Sequence, residues 1–179
     1  MPSTTRTWSV PTSPRNPYKL CDELGLLKKY EGEMWNKETQ TRFALELSAA
    51  DFFEGSIYAK EPSFSARDRV NRSPKTFGFI RLDTDKKIVF TSAGNQIIAK
   101  NGLEDLFLRQ LLKWQYPSPN HDKVDYQAFC IKPFLEILRL VKDFEGLSKK
   151  EMAIFGVTLT DYRNYEQTKI DCVIAAWAS

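Results

Sequence analysis

Apolar residues recur at helical spacing along most of this chain, and one short alternating stretch near its middle breaks the rule. Leu20, Leu24 and Leu27 fall at i, i+4 and i+7, which predicts an amphipathic helix. Asn16 is placed to cap it, and Pro17 suits a first helical position, where no amide donor is needed. A second helix is expected from Asn36, with Phe43, Leu47 and Ala50 on one face and Ala44 beside them. After a loop over 54–62, Ser65 predicts the cap of a short helix over 66–72 that Pro74 stops. The period then changes in "KTFGFIRLDTDKKIVFTS". Phe77, Phe79 and Arg81 alternate with Ile80 and Leu82, "DTDKK" reads as a turn, and Ile88, Val89 and Phe90 read as the return strand of a β-hairpin. Ser92 predicts the cap of a further helix ending at Asn101-Gly102.

The second half returns to helical periodicity. Leu103, Phe107, Leu111 and Trp114 form one stripe, ended by Pro117, and residues 117–128 are polar and loop-like. Ile131, Phe134, Leu135, Leu138 and Val141 predict an amphipathic helix with Pro133 near its start. "GLSKKEMAIF" contains a capping box, Ser148 with Glu151. A last helix from about residue 161 is expected to bury Ile170, Val173, Ile174 and Trp177. The fold class expected is mainly α with a small β-hairpin wing (α+β). Residues 1–102 read as a winged helix-turn-helix subdomain, and residues 103–179 as a second, helical helix-turn-helix-like subdomain. The apolar "DCVIAAWAS" at the end of the sequence reads as a chain cut from something longer.

Charge sharpens this picture. The net charge of the 179 residues is only +3, but residues 64–81 carry Arg67, Arg69, Arg72, Lys75 and Arg81 against Asp68 alone, a local +4. The first 19 residues add Arg6, Arg15 and Lys19 without an acid. Localised positive charge suits a polyanion. Arg67 and Arg69 would sit in the first turn of the candidate recognition helix, where side chains reach base edges, and Lys75 and Arg81 would flank the wing, where phosphates lie. No run of about 18 apolar residues exists, so no membrane helix is expected; the N-terminus reads as no signal peptide, and a cytoplasmic location is expected.

Catalytic chemistry is hard to find. Cys21, Cys130 and Cys172 are far apart, and with the lone His121 they form no zinc spacing. No phosphate-binding glycine loop occurs. Asp85-Lys86-Lys87, with Asp83 nearby, fits the D-x-K element of metal-dependent nucleases, but it falls at a hairpin tip with no partner strand before it, so it is read as a turn. No catalytic residue and no metal ligand is assigned.

Five stretches together, "SPRNPYK" (13–19), "FSARDRV" (64–70), "KTFGF" (75–79), "LLKWQYPS" (111–118) and "GLSKKEMAIF" (146–155), resemble the N-terminal part of the AlwI family of type IIS restriction endonucleases, which includes strand-nicking enzymes. The resemblance implies a prokaryotic partner in a restriction-modification system: a part that binds double-stranded DNA at a short asymmetric site through winged-helix-like subdomains, here as a monomer. It also implies a separate Mg²⁺-dependent PD-(D/E)xK cleavage domain, with no counterpart in these residues, so the chain by itself is expected to be non-catalytic. Carried over residue by residue, it puts Arg15 and Lys19 in the family's SPR-x-P stretch, with Arg15 expected on a phosphate or in the minor groove, or else in an N-terminal salt bridge, and makes Arg67, Asp68 and Arg69 the base-reading triplet; Arg72 and Lys75 are further DNA-contact candidates of the same basic run. Arginine can take guanine O6 and N7, and aspartate can accept from cytosine N4. The alternative for Asp68 is an ion pair with an arginine that only shapes the helix. Lys113 and Gln115 in "KWQYP" flank an apolar stripe and are further candidates for DNA contact. Competing with this reading are a free-standing winged-helix transcription regulator, which would dimerise on palindromes, and a winged-helix scaffold that binds protein.

Overall fold

Helix α1 (Pro17–Leu27) begins as its sequence predicts: Pro17 takes the first position and the Asn16 side chain accepts the Tyr18 amide. The computed structural model describes residues 7–9, 16–118 and 128–177; Arg15 and His121 lie outside them. The chain divides into two compact units, residues 11–110 and residues 1–10 with 111–179. The described residues are mainly helical with one two-stranded antiparallel sheet, an α+β composition.

In the unit of residues 11–110, a 3-10 turn (Lys28–Tyr30) leads from α1 to α2 (Lys37–Ser48), whose cap is Asn36. Helix α3 (Pro62–Asn71) starts a turn earlier than the cap at Ser65 predicts, because Pro62 fills its first turn; Ser65 lies inside the helix and accepts the Tyr58 amide. Pro74 does not end that helix. The break falls at Arg72 (ψ −122°), and Pro74 sits in the first turn of a four-residue helix α4 (Ser73–Thr76). Strands β1 (Ile80–Leu82) and β2 (Ile88–Phe90) pair Ile80 with Phe90 and Leu82 with Ile88. Phe77 precedes the strand, at the end of α4. The turn is closed by hydrogen bonds between Asp83 and both Lys86 and Lys87, with Lys86 in the left-handed region (φ 60°). The cap of α5 (Ser92–Ile98) is Thr91, one residue before the predicted Ser92. Leu20, Leu24, Leu27, Phe43, Leu47, Val70, Phe79, Ile80, Ile88 and Ile97 are nearly or fully buried and form this unit's core. Gly94 in α5 is needed for close approach: a Cβ there would sit 2.0 Å from the Phe79 carbonyl oxygen.

Helix α6 (Leu103–Lys113) runs from residues of the first unit into residues 111–113 of the second. Its predicted single stripe serves two cores. Phe107 packs on Phe77 and Phe79, whereas Trp114 packs on Trp8, Tyr116 and Phe134.

In the unit holding residues 111–179, α7 (Pro133–Asp143) buries Pro133, Glu136 and Leu140 but leaves Leu135 and Leu138 exposed, so the predicted apolar face is only partly the packed one. The capping box forms with both bonds at α8 (Lys149–Glu151), which continues as a π-helical stretch over Met152–Gly156. Helix α9 (Tyr165–Trp177) buries Tyr165 and Cys172, while Ile170, Val173 and Ile174 are exposed, the opposite of the predicted face. The segment at 7–9 joins this unit. The Trp8 indole donates to the Gly156 carbonyl at 3.0 Å, and the Tyr116 hydroxyl donates to the Ser9 carbonyl at 2.9 Å. Among the described residues no helix is long and apolar enough to cross a membrane.

Candidate nucleic-acid interface

The basic run lies on α3, α4 and β1, and its side chains are not equivalent. Helix α3 buries Ser63, Ala66 and Val70, spaced i, i+3, i+7, and packs mainly on α2. That leaves Phe64, Arg67 and Asn71 on its outer side. Arg67 is exposed, its guanidinium 5.4 Å from the Phe64 ring, and makes no ion pair among the described residues. Lys75 on α4 is half-buried, and Arg81 on β1 is exposed.

Asp68, Arg69 and Arg72 are held differently. Asp68 pairs with Arg72 one helical turn on, at 2.7 Å. Arg69 turns inward: its Nε donates to Glu23 Oε2 at 2.8 Å, its Nη2 donates to Glu23 Oε1, and its guanidinium lies 4.8 Å from the Phe53 ring. The Glu23 side chain is only 5 % exposed and that of Arg69 19 %. Two parallel charge-assisted bonds of this kind fix a guanidinium in one orientation. Arg69 thus ties α3 to α1. Sequence reasoning did not single out Glu23, although a signal existed: it is an acid on the apolar stripe of α1, between Leu20 and Leu24.

Lys19 on α1 is ion-paired with Glu54, whose carboxyl it holds below the usual carboxylate range. Lys113 and Gln115 are exposed and belong to the other unit, where the Gln115 amide reaches the Pro117 carbonyl at 3.4 Å. The structure therefore brings Arg67, Asp68, Arg69, Arg72 and Lys75 together on one segment, while Lys113 and Gln115 belong to the other unit. Arg15 falls outside the described residues.

The hairpin is well anchored behind this segment. Residues 32–35, between α1 and α2, run along the free edge of β2: the Gly32 amide donates to Ile88, the Ile88 amide to Glu33, and the Trp35 amide to Lys86. Glu31 accepts from Lys28 and from the Phe90 amide at 3.1 Å, and the Lys28 bond is the main cause holding its carboxyl below its ordinary value. The Thr91 hydroxyl donates to the carbonyls of Gly78 and Phe79 at 2.7 and 3.0 Å, which ties the start of α5 to the start of β1.

The Asp83 carboxylate of the hairpin serves the turn. Asp83 Oδ1 accepts the amides of Asp85 and Lys87 at 3.0 and 2.8 Å and so closes the turn, while Asp85 stands exposed at the tip. Among the described residues no three histidine, cysteine or acidic side chains cluster closely enough to hold a metal ion.

The sequence model of the family described as AlwI restriction endonuclease matches residues 75–173, more than half of the chain. The match begins at Lys75, takes in the hairpin, α5, α6, α7 and most of α9, and leaves residues 67–69 before its start. No curated protein matches the chain. A restriction-related role, with DNA as the partner, is what membership carries. The extent of the match shows that this chain belongs to the AlwI restriction endonuclease family.

Proposed function

We propose that residues 11–110 form a winged-helix module that reads double-stranded DNA for a type IIS restriction or strand-nicking endonuclease. The observation that carries the reading is the order of parts around the hairpin. A strand-like segment at 32–35 pairs on the outer edge of β2, and a helix with Arg67 on its outer side precedes β1, with the short α4 between them. In such a module that helix enters the major groove and the hairpin lies on the neighbouring backbone. Arg67 and Asn71 then face base edges, and Lys75 and Arg81 face phosphates. Arg69 and Glu23 orient the helix from behind. Arg15, Lys19, Lys113 and Gln115 are accessory backbone contacts in this reading. Cutting is assigned to a separate Mg²⁺-dependent domain.

Binding of the purified chain to cognate and scrambled duplexes across a salt series tests the assignment. Arg67→Ala should weaken the cognate site more than scrambled DNA, with a discrimination loss of roughly 1–3 kcal/mol. Lys75→Ala should weaken both equally and flatten the salt slope by about one unit. The protein should bind as a monomer and leave the duplex uncut with or without Mg²⁺. A dimer on half-sites spaced by a helical turn would instead identify a regulator. Affinity that ignores salt would remove DNA from the account altogether.

A further inference from the structure

A cavity of about 280 Å³ opens beside α3, between that helix and the loop at 56–58. Its lining includes Tyr58, Phe64, Ser65, Asp68, Arg69 and Arg72. Phe64 and Asp68, at i and i+4, share one face of α3, and Arg72, just past the helix end, extends that wall. We propose that this cavity receives a single unstacked nucleobase of the bound DNA, an inference that rests on the DNA-reading role above.

Four features support this occupant. The volume lies just below the range of small-molecule sites, about 300–1,000 Å³, which suits one flat ring system. Tyr58 and Phe64 are 55 % and 47 % exposed at its rim, so neither ring is consumed by the core. Aromatic rings in that position are what unstacked bases stack upon. Asp68 and Arg72, paired at 2.7 Å, put a carboxylate acceptor beside guanidinium donors. That pairing of groups matches the Watson–Crick edge of guanine, whose N1–H and N2–H₂ donate and whose O6 accepts. Because the two charges are paired, a neutral base meets no net charge. Finally, the Tyr58 amide donates to Ser65 Oγ at 2.9 Å, which pins the loop wall to the helix before any ligand arrives.

A base already out of the stack costs less to capture than one that must be unpaired first. The test compares a short duplex with the same duplex carrying one bulged guanine. The full chain is titrated with each at the same salt, as wild type, Tyr58→Ala and Tyr58→Phe. The wild type should prefer the bulged duplex by about tenfold. Tyr58→Phe keeps the ring and should keep the preference. Tyr58→Ala should bring the two affinities together while leaving binding to the perfect duplex and its salt slope unchanged; melting of each variant checks the fold. Equal wild-type affinity for both duplexes, or a preference that survives Tyr58→Ala, overturns the pocket while the DNA-reading role stands. Loss of salt-dependent binding to both duplexes overturns that role and the pocket with it.

Discussion

Arg69 tests the proposed distinction between a side chain that contacts DNA and one that builds the surface behind it. Replacing it with alanine leaves the Glu23 carboxylate, 5 % exposed, without the guanidinium that neutralises it. Breaking a buried pair by removing one partner costs about 3–5 kcal/mol, a large part of the roughly 5–15 kcal/mol that holds a domain together. Glu23→Ala should cost less. The orphaned Arg69 is 19 % exposed, so it can reach water while its guanidinium stays over Phe53. The double variant Glu23→Leu with Arg69→Met should recover much of the loss, because replacing both charges by apolar groups removes the desolvation penalty along with the attraction. Urea denaturation of wild type, Glu23→Leu, Arg69→Met and the double variant, followed by far-UV circular dichroism, gives the cycle, and a coupling of about 2–3 kcal/mol is expected. DNA binding is measured in parallel, where each variant is folded. Arg69→Ala should weaken binding without changing the salt slope, since no phosphate contact is lost. The reasoning fails if Arg69→Ala costs less than about 1 kcal/mol of stability and flattens that slope by a unit, which would place the guanidinium on a phosphate.

Three further outcomes follow from the packing. Gly94→Ala should destabilise by about 1–3 kcal/mol, although the same change in an open helix is favourable, because its Cβ would meet the Phe79 carbonyl at 2.0 Å; an unchanged or raised melting temperature would contradict that approach. Burial, followed by the hydrogen bond to Glu46, raises the Tyr30 hydroxyl from 10.0 to about 12, so its neutral form is favoured in the folded state. The stability this contributes, on the order of 2–3 kcal/mol, is intact below pH 10 and is lost as pH rises toward about 12; Tyr30→Phe should flatten that alkaline decline in urea titrations, and an unaltered slope would count against it. Ser148→Ala removes a capping bond to the Glu151 amide and should cost about 1 kcal/mol in the unit of residues 111–179, measured by its urea midpoint.

Local chemistry in the sequence determined the starts of α1, α2 and α8 and the hairpin turn. Asn16 and Asn36 cap α1 and α2, Ser148 and Glu151 form the capping box, and "DTDKK" closes the hairpin, because each of these depends on side chains within a few residues of the backbone they satisfy. The concentration of positive charge on one segment was equally legible, being a property of composition. Which members of that segment face outward was not. Arg67 and Arg69 are two residues apart and chemically identical, yet one faces outward and the other meets Glu23, 46 residues earlier in the chain, a pairing that exists only once α1 and α3 pack. Helical periodicity finds an apolar stripe but not its partner. Leu135 and Leu138 on α7, and Ile170, Val173 and Ile174 on α9, satisfy the pattern and remain exposed. Trp8 shows the converse: it stands in a polar stretch with no periodic neighbours, and is buried because its indole meets the Gly156 carbonyl 148 residues away. The period of a helix is set by its own backbone, but which of its faces is covered depends on segments distant in sequence, and only the tertiary structure brings those together.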